Sequence, residues 1–192
     1  MFSKTPKQIV FLKKTLMKRH SLLIIAFLCF FISACKVEPT IEELTTNILQ
    51  LNRGMERAYN NDEIKKIVNF YAEDAFILGS NNSNFQGRVA IEESWTNIKN
   101  PIRWKIDVIK VAKTEAELYE TEYWENLKNK PTHWKAFNVP FKAEDELLYQ
   151  LGHSTLEYDR EDDTHHTREV DFIFVWKKNE QGFYRIYVDT YN

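Results

Sequence analysis

The repeat of the apolar residues changes once along this chain, near Pro101, and that change sets the class of fold. Before it, Ile41, Leu44, Ile48, Leu51, Met55 and Tyr59 recur at steps of three and four, one face of a helix. Thr40-Ile41-Glu42-Glu43 supplies a capping box at its start: the Thr40 hydroxyl can accept the Glu43 amide, and Glu43 can reach back. Asn60-Asn61-Asp62 breaks this helix and caps a second, with Ile64, Ile67, Val68 and Tyr71 inward. Ala75 to Leu78, ended by Gly79, reads as a short strand, and Ser80 to Phe85 as a polar loop. Gly87-Arg88 opens a third helix with Ile91, Trp95 and Ile98 on one face, ended by Asn100-Pro101. After Pro101 the period is two: Ile102, Trp104, Ile106 and Val108 alternate with Arg103, Lys105 and Asp107. Further strands are expected over Leu147 to Tyr158, Arg168 to Lys177 and Phe183 to Tyr191. A charged connection, Asp159 to His166, joins the first two, and the turn Asn179 to Gly182 joins the last two. Helices followed by strands argue for an α+β fold, an antiparallel sheet with helices on one side.

Residues 1–34 stand outside this pattern. Basic Lys18-Arg19-His20 precedes an apolar run, Leu22 to Ile32, and Ile32-Ser33-Ala34-Cys35 follows. Charge, apolar stretch and small residues in that order make a secretory signal peptide. The run of about a dozen residues is short of the roughly 20 a spanning helix needs. The cysteine at the cut makes the segment resemble a bacterial lipoprotein signal. The resemblance implies cleavage before Cys35, lipidation of Cys35, a tether over 35–39, and a domain over 40–192 held on a membrane of the cell envelope. Lys36 leans the location towards the outer membrane. Met17 would open a compact version of the same signal.

Six of the 26 basic residues and none of the 28 acidic ones fall in residues 1–34, leaving 20 against 28 and a net charge of −8 after cleavage. So acidic a domain is a poor partner for nucleic acid. With Cys29 removed in the signal, Cys35 is the last cysteine, so neither a disulfide framework nor a thiol nucleophile is available. No cofactor motif is present. His165-His166 lacks the spacing of a metal site, and adjacent strand residues would diverge, so no metal is assigned. Ser154 and Thr155 lack the glycine-flanked pattern of a nucleophile.

Four segments, in order, resemble the NTF2-like superfamily, which includes the SnoaL-like polyketide cyclases, ketosteroid isomerase and the DUF4440 group. They are Asn69-Phe70-Tyr71-Ala72-Glu73-Asp74-Ala75 at the end of helix two, Phe85-Gln86-Gly87-Arg88-Val89-Ala90-Ile91 entering helix three, Val175 to Ile186 at the closing hairpin, and Asp189-Thr190-Tyr191-Asn192 at the end. The resemblance covers about 41–111 and 147–192. It implies a curved antiparallel sheet wrapped round the N-terminal helices, a cone with an apolar pocket, and a homodimer formed through the sheet. Residues 113–146 exceed a normal family loop and read as an insertion, one that would cover the pocket mouth.

The resemblance also permits a test of chemistry. An isomerase of this family needs a carboxylate base and an oxyanion hole made by a tyrosine and a protonated acid. The matching positions are Gly79, Met55 and Phe174, so all three polar roles are empty. Asp189 is the best remaining acid: strand alternation would put Arg185, Tyr187, Asp189 and Tyr191 on one side, where an apolar pocket would raise its pKa. His153 could partner it, as histidine–aspartate pairs serve dehydratases of the superfamily. Met55, Tyr59, Phe76, Trp95, Phe172, Phe174, Tyr187 and Tyr191 are the expected pocket residues, with Met55 and Phe174 making it apolar. The expected function is therefore binding of a small apolar ligand or a partner chain without a catalytic set. The alternatives are an isomerase, cyclase or dehydratase using Asp189, and a structural module that dimerises through its sheet.

Overall fold

A computed structural model describes residues 38–79 and 84–192. The signal segment and Cys35 lie outside the described residues, as does most of the polar loop expected after Gly79. Helix α1 (Ile41–Asn60) is followed by the single turn α2 (Ile64–Ile67), strand β1 (Tyr71–Gly79), the short β2 (Asn84–Gln86) and α3 (Arg88–Thr96). Strand β3 (Pro101–Ala112) precedes two short helices, α4 (Glu115–Tyr119) and α5 (Glu122–Asn126), and strands β4 (Leu147–Asp159), β5 (His165–Lys178) and β6 (Tyr184–Tyr191) complete the chain. The six strands form one curved, unclosed sheet in the order β2-β1-β6-β5-β4-β3.

The sheet is mixed rather than antiparallel, because β1 runs parallel to β6. The whole of the intervening chain connects the two, which removes the hairpin constraint that enforces antiparallel pairing. Tyr71 to Asp74, expected to end a helix, instead open β1, where Tyr71 pairs with Ile186. One turn of helix cannot hold those residues against the ladder that β6 offers. His165 and His166, expected in a loop, begin β5: His165 Nδ1 lies 3.2 Å from Asp159 Oδ1, while His166 stacks on Tyr158.

The α1 capping box forms as expected, with Thr40 N–H donating to Glu43 Oε2 at 2.9 Å and Glu43 N–H to Thr40 Oγ1 at 3.3 Å. Leu44, Ile48, Met55 and Tyr59 of α1 pack on Trp104, Ile106, Phe172, Phe174, Trp176 and Ile186, filling the inner face of the sheet. Strand β3 is a sheet edge whose amides α1 engages: Glu56 Oε1 accepts from Ile106 N–H at 2.7 Å and Asn60 Oδ1 from Trp104 N–H at 2.6 Å. Bonds of this kind blunt an edge that could otherwise pair with another chain.

The 113–146 segment, expected as an insertion over the pocket mouth, supplies no residue to the cavity wall. It covers the outer face of the sheet, where Leu118, Trp124 and Trp134 pack with Leu151, Ile173, Val175, Tyr187 and Val188. Two threonines start its helices, Thr114 accepting from Glu117 N–H and Thr121 from Trp124 N–H. The physical reason is the outer-face apolar row on β4, β5 and β6, which must be covered and which the inner helices cannot reach. Much of the face through which a dimer was expected is thus buried by the chain itself.

Candidate functional site

The cone encloses a cavity of about 110 Å³. Strands β1, β4, β5 and β6 supply Ile77, Ser154, Leu156, Val170, Phe172, Phe174, Asp189 and Tyr191 to its wall, and Trp104, Ser94 and Trp95 of α3, and Ile98 just after that helix close it. Arg168 is the exposed residue of the lining.

Asp189 is the buried ionisable side chain in this wall. It pairs across the ladder with Phe174 and, on the parallel side, with Ile77, both apolar. Tyr71, fully buried at the start of β1, donates its hydroxyl to Asp189 Oδ2 at 2.8 Å. Burial pushes the Asp189 carboxyl up to about 7, against the opposing pull of the Tyr71 hydrogen bond and the Arg168 charge. Burial also pushes the Tyr71 phenol well above its ordinary value, so it stays a donor. Ser154 is a second polar group: its Oγ accepts Trp104 Nε1–H at 2.8 Å, leaving its own proton free to donate. The buried Trp95 Nε1–H has no partner among the described residues.

Compared with solved structures, the chain matches Aln2 from a Streptomyces species with a TM-score of 0.54 at 10% identity, over 80% of this chain and 92% of that one. A conserved protein from Planctomyces limnophilus matches at 0.51 and 10% identity, covering 76% and 91%. A ketosteroid isomerase-like protein from Erwinia carotovora atroseptica matches at 0.50 and 11% identity, covering 75% and 91%. The fold is NTF2-like. No protein-family model matches the sequence, and no curated protein matches it.

Within this NTF2-like cone, Gly79, the position matching an isomerase base, is closed. A Cβ on Gly79 would sit 2.8 Å from the Tyr191 ring, so the missing side chain is the space that Tyr191 occupies. The buried polar pair of the cavity lies instead at the β1–β6 junction, Asp189 with Tyr71. The sequence shows Tyr71 as an inward residue but not as a partner of Asp189, because the pattern around it resembles the end of a helix.

Of the expected pocket residues, Trp95, Phe172, Phe174 and Tyr191 line the cavity beside Asp189. Met55 and Tyr59 do not: both are fully buried in the packed core, with Tyr59 edge-on to Trp95 and Trp104 behind the wall. Phe76 and Tyr187 lie on the outer face, edge-to-face with each other at 5.8 Å. For Tyr187 the cause is a bulge. Val175 pairs with Val188 but Trp176 with Ile186, so Tyr187 is an extra residue and the alternation flips. Asp189 and Tyr191 remain inside, while Tyr187 and, before Ile186, Arg185 turn out.

His153 does not partner Asp189 either. Its cross-strand neighbours are Asp107 and Asp171. Its Nδ1 lies 2.9 Å from Asp171 Oδ1, which also accepts the Tyr123 hydroxyl at 2.5 Å. Burial pushes the Asp171 carboxyl up, but hydrogen bonds from Tyr123, His153 and Asn192 outweigh it and hold the group below its ordinary value. This cluster fastens the insertion to the outer face. Among the described residues no cluster of His, Cys, Asp and Glu could hold a metal ion.

Proposed function

We propose that this is a lipid-anchored envelope protein whose NTF2-like domain binds a small, largely apolar molecule and moves a proton on it through Asp189. The observation that carries the reading is one carboxyl, buried in an apolar cavity, held by Tyr71 and poised at about 7. A general acid or base works best when its pKa sits near the working pH. As carboxylate, Asp189 takes a proton from a carbon next to a carbonyl; as acid, it returns that proton to another atom of the same molecule, with no change in oxidation state. The Ser154 hydroxyl, oriented by Trp104, is placed to donate to an oxygen that gains charge. Isomerases and cyclases use this class of step.

The apolar lining supports a second reading, binding without turnover. The neutral probe 5-nitrobenzisoxazole separates the two, because its ring opens when a carboxylate base removes one carbon-bound proton. The expected result is ring opening that rises with pH through about 7 and is lost in Asp189→Asn. Opening no faster than with free acetate, or unchanged by Asp189→Asn, leaves binding alone.

A further inference from the structure

Arg168 is a cation at the mouth of the cavity that makes no ion pair among the described residues. Seven other cations hold carboxylates at 3.3 Å or less; of the described cations without an ion pair, Arg168 is the one that lines the cavity. The Arg168 guanidinium lies over the Tyr191 ring, 4.7 Å from its centroid. Stacking on a ring holds the planar group in place, and a guanidinium so held can receive a carboxylate through two parallel hydrogen bonds. A guanidinium without an ion pair among the described residues, placed at the mouth of an apolar cavity, is positioned to receive an anion. Behind it the wall is Trp95, Phe172 and Phe174. An apolar cavity of about 150 Å³ is known to take benzene, so about 110 Å³ with an open mouth suits a single ring or a short branched chain.

Resting on the reading of this cavity as the binding site, we infer that its ligand is a small carboxylic acid with an apolar body. The carboxylate sits on Arg168, the body lies against Trp95 and the two phenylalanines, and a carbon faces Asp189. Such a ligand also couples to the Asp189 proton. Tyr71 from β1, Tyr191 from β6 and Arg168 from β5 are the titratable or charged groups facing that carboxyl, while α3 and β4 contribute Ser94, Trp95 and Ser154. An anion binds beside neutral Asp189 and is repelled by ionised Asp189, so affinity falls as pH rises through about 7.

The test uses the full chain in detergent micelles, with Trp95 and Trp104 as the fluorescent reporters of cavity occupancy. Phenylacetate and its neutral isostere phenylacetamide are titrated at pH 6 and pH 8. The expected result is a preference for phenylacetate of about tenfold or more at pH 6, smaller at pH 8, and absent in Arg168→Gln. Equal binding of the two probes, binding of neither, or a preference that survives Arg168→Gln overturns the inference. A preference for phenylphosphonate over phenylacetate overturns it too, by assigning the mouth to phosphoryl anions. Ring opening of the neutral nitrobenzisoxazole does not call on Arg168, so the acid–base reading stands or falls separately.

Discussion

Tyr71 and Asp189 lie 118 positions apart in the chain and meet at 2.8 Å, hydroxyl to carboxylate, across the parallel junction of β1 and β6. Each answers the other's burial. A buried phenol needs an acceptor, and a buried carboxylate needs a donor. The register shift between Tyr71 and Phe76 lets the ring of Tyr71 reach forward from its own partner, Ile186, to Asp189.

Tyr71→Phe is expected to remove the hydrogen bond that lowers the Asp189 pKa while leaving the burial that raises it. The carboxyl midpoint then moves above about 7, and the pH profile of nitrobenzisoxazole opening moves up with it. Stability at pH 8 falls by about 1–3 kcal/mol, the cost of an unsatisfied buried group. A profile that stays in place would mean that Tyr71 does not act on Asp189.

Asp189→Asn tests the same carboxyl by linkage. The folded-state pKa of about 7 lies above the ordinary 3.8, so between those values the folded chain holds a proton the unfolded chain has released. Stability therefore decreases as pH rises from about 4 to about 7, by up to about 4 kcal/mol at 1.36 kcal/mol per unit. Asn cannot ionise, so the variant is expected to lose this slope and to gain on the parent at pH 8. Urea denaturation at pH 5 and pH 8 checks it; parallel slopes in the two proteins would refute the buried ionisable carboxyl.

Much of this arrangement was legible in the sequence alone. The capping box and the three- and four-residue steps located α1, and alternation located β3 and β5, because those signals are local. Asp189 was legible as an acid on an inward face, but its partner was not. Tyr71 comes to it through a parallel pairing between the ends of the domain, and no local signal carries that. The sequence pattern misplaces Tyr187 for a related reason: a single extra residue at a bulge reverses the side chains beyond it. The place of the 113–146 segment is not legible, since its aromatic residues follow no period. Only the uncovered apolar row on the outer face decides where they go.

Gly79→Ala is expected to push on the Tyr191 ring, whose Cε2, Cζ and Oη lie 2.8 Å from the added Cβ. Tyr191 is held against Arg168, so the mouth distorts with it. Phenylacetate binding weakens, while stability falls by about 1–3 kcal/mol, the usual cost of overpacking. Parallel fluorescence titration and thermal melting measure both; unaltered binding would show that Tyr191 does not shape the mouth.

Cys35→Ala is expected to release the chain from membranes, because the lipid would attach to that one residue. Palmitate labelling in a bacterial host, followed by fractionation of parent and variant, checks it. A variant that still takes up label and still sediments with membranes would remove the anchor from the proposal.

The insertion invites the last test. Trp134 packs edge-on against Phe141 at 5.8 Å, Phe141 against Tyr187 at 5.6 Å, and the Tyr187 hydroxyl donates to Pro140 O at 2.8 Å. This chain of contacts clamps the 113–146 segment over Ile173, Val175 and Val188. Trp134→Ala is expected to cost about 3–5 kcal/mol if the domain unfolds as one unit. Should the segment lift alone, the global loss is smaller and the bared apolar face drives self-association, since a contiguous exposed patch of that kind seeks a partner. Denaturation read together with light scattering distinguishes the two routes. A variant as stable and as dispersed as the parent would mean that the segment does not protect the sheet, and would reopen that face as a site for a second copy.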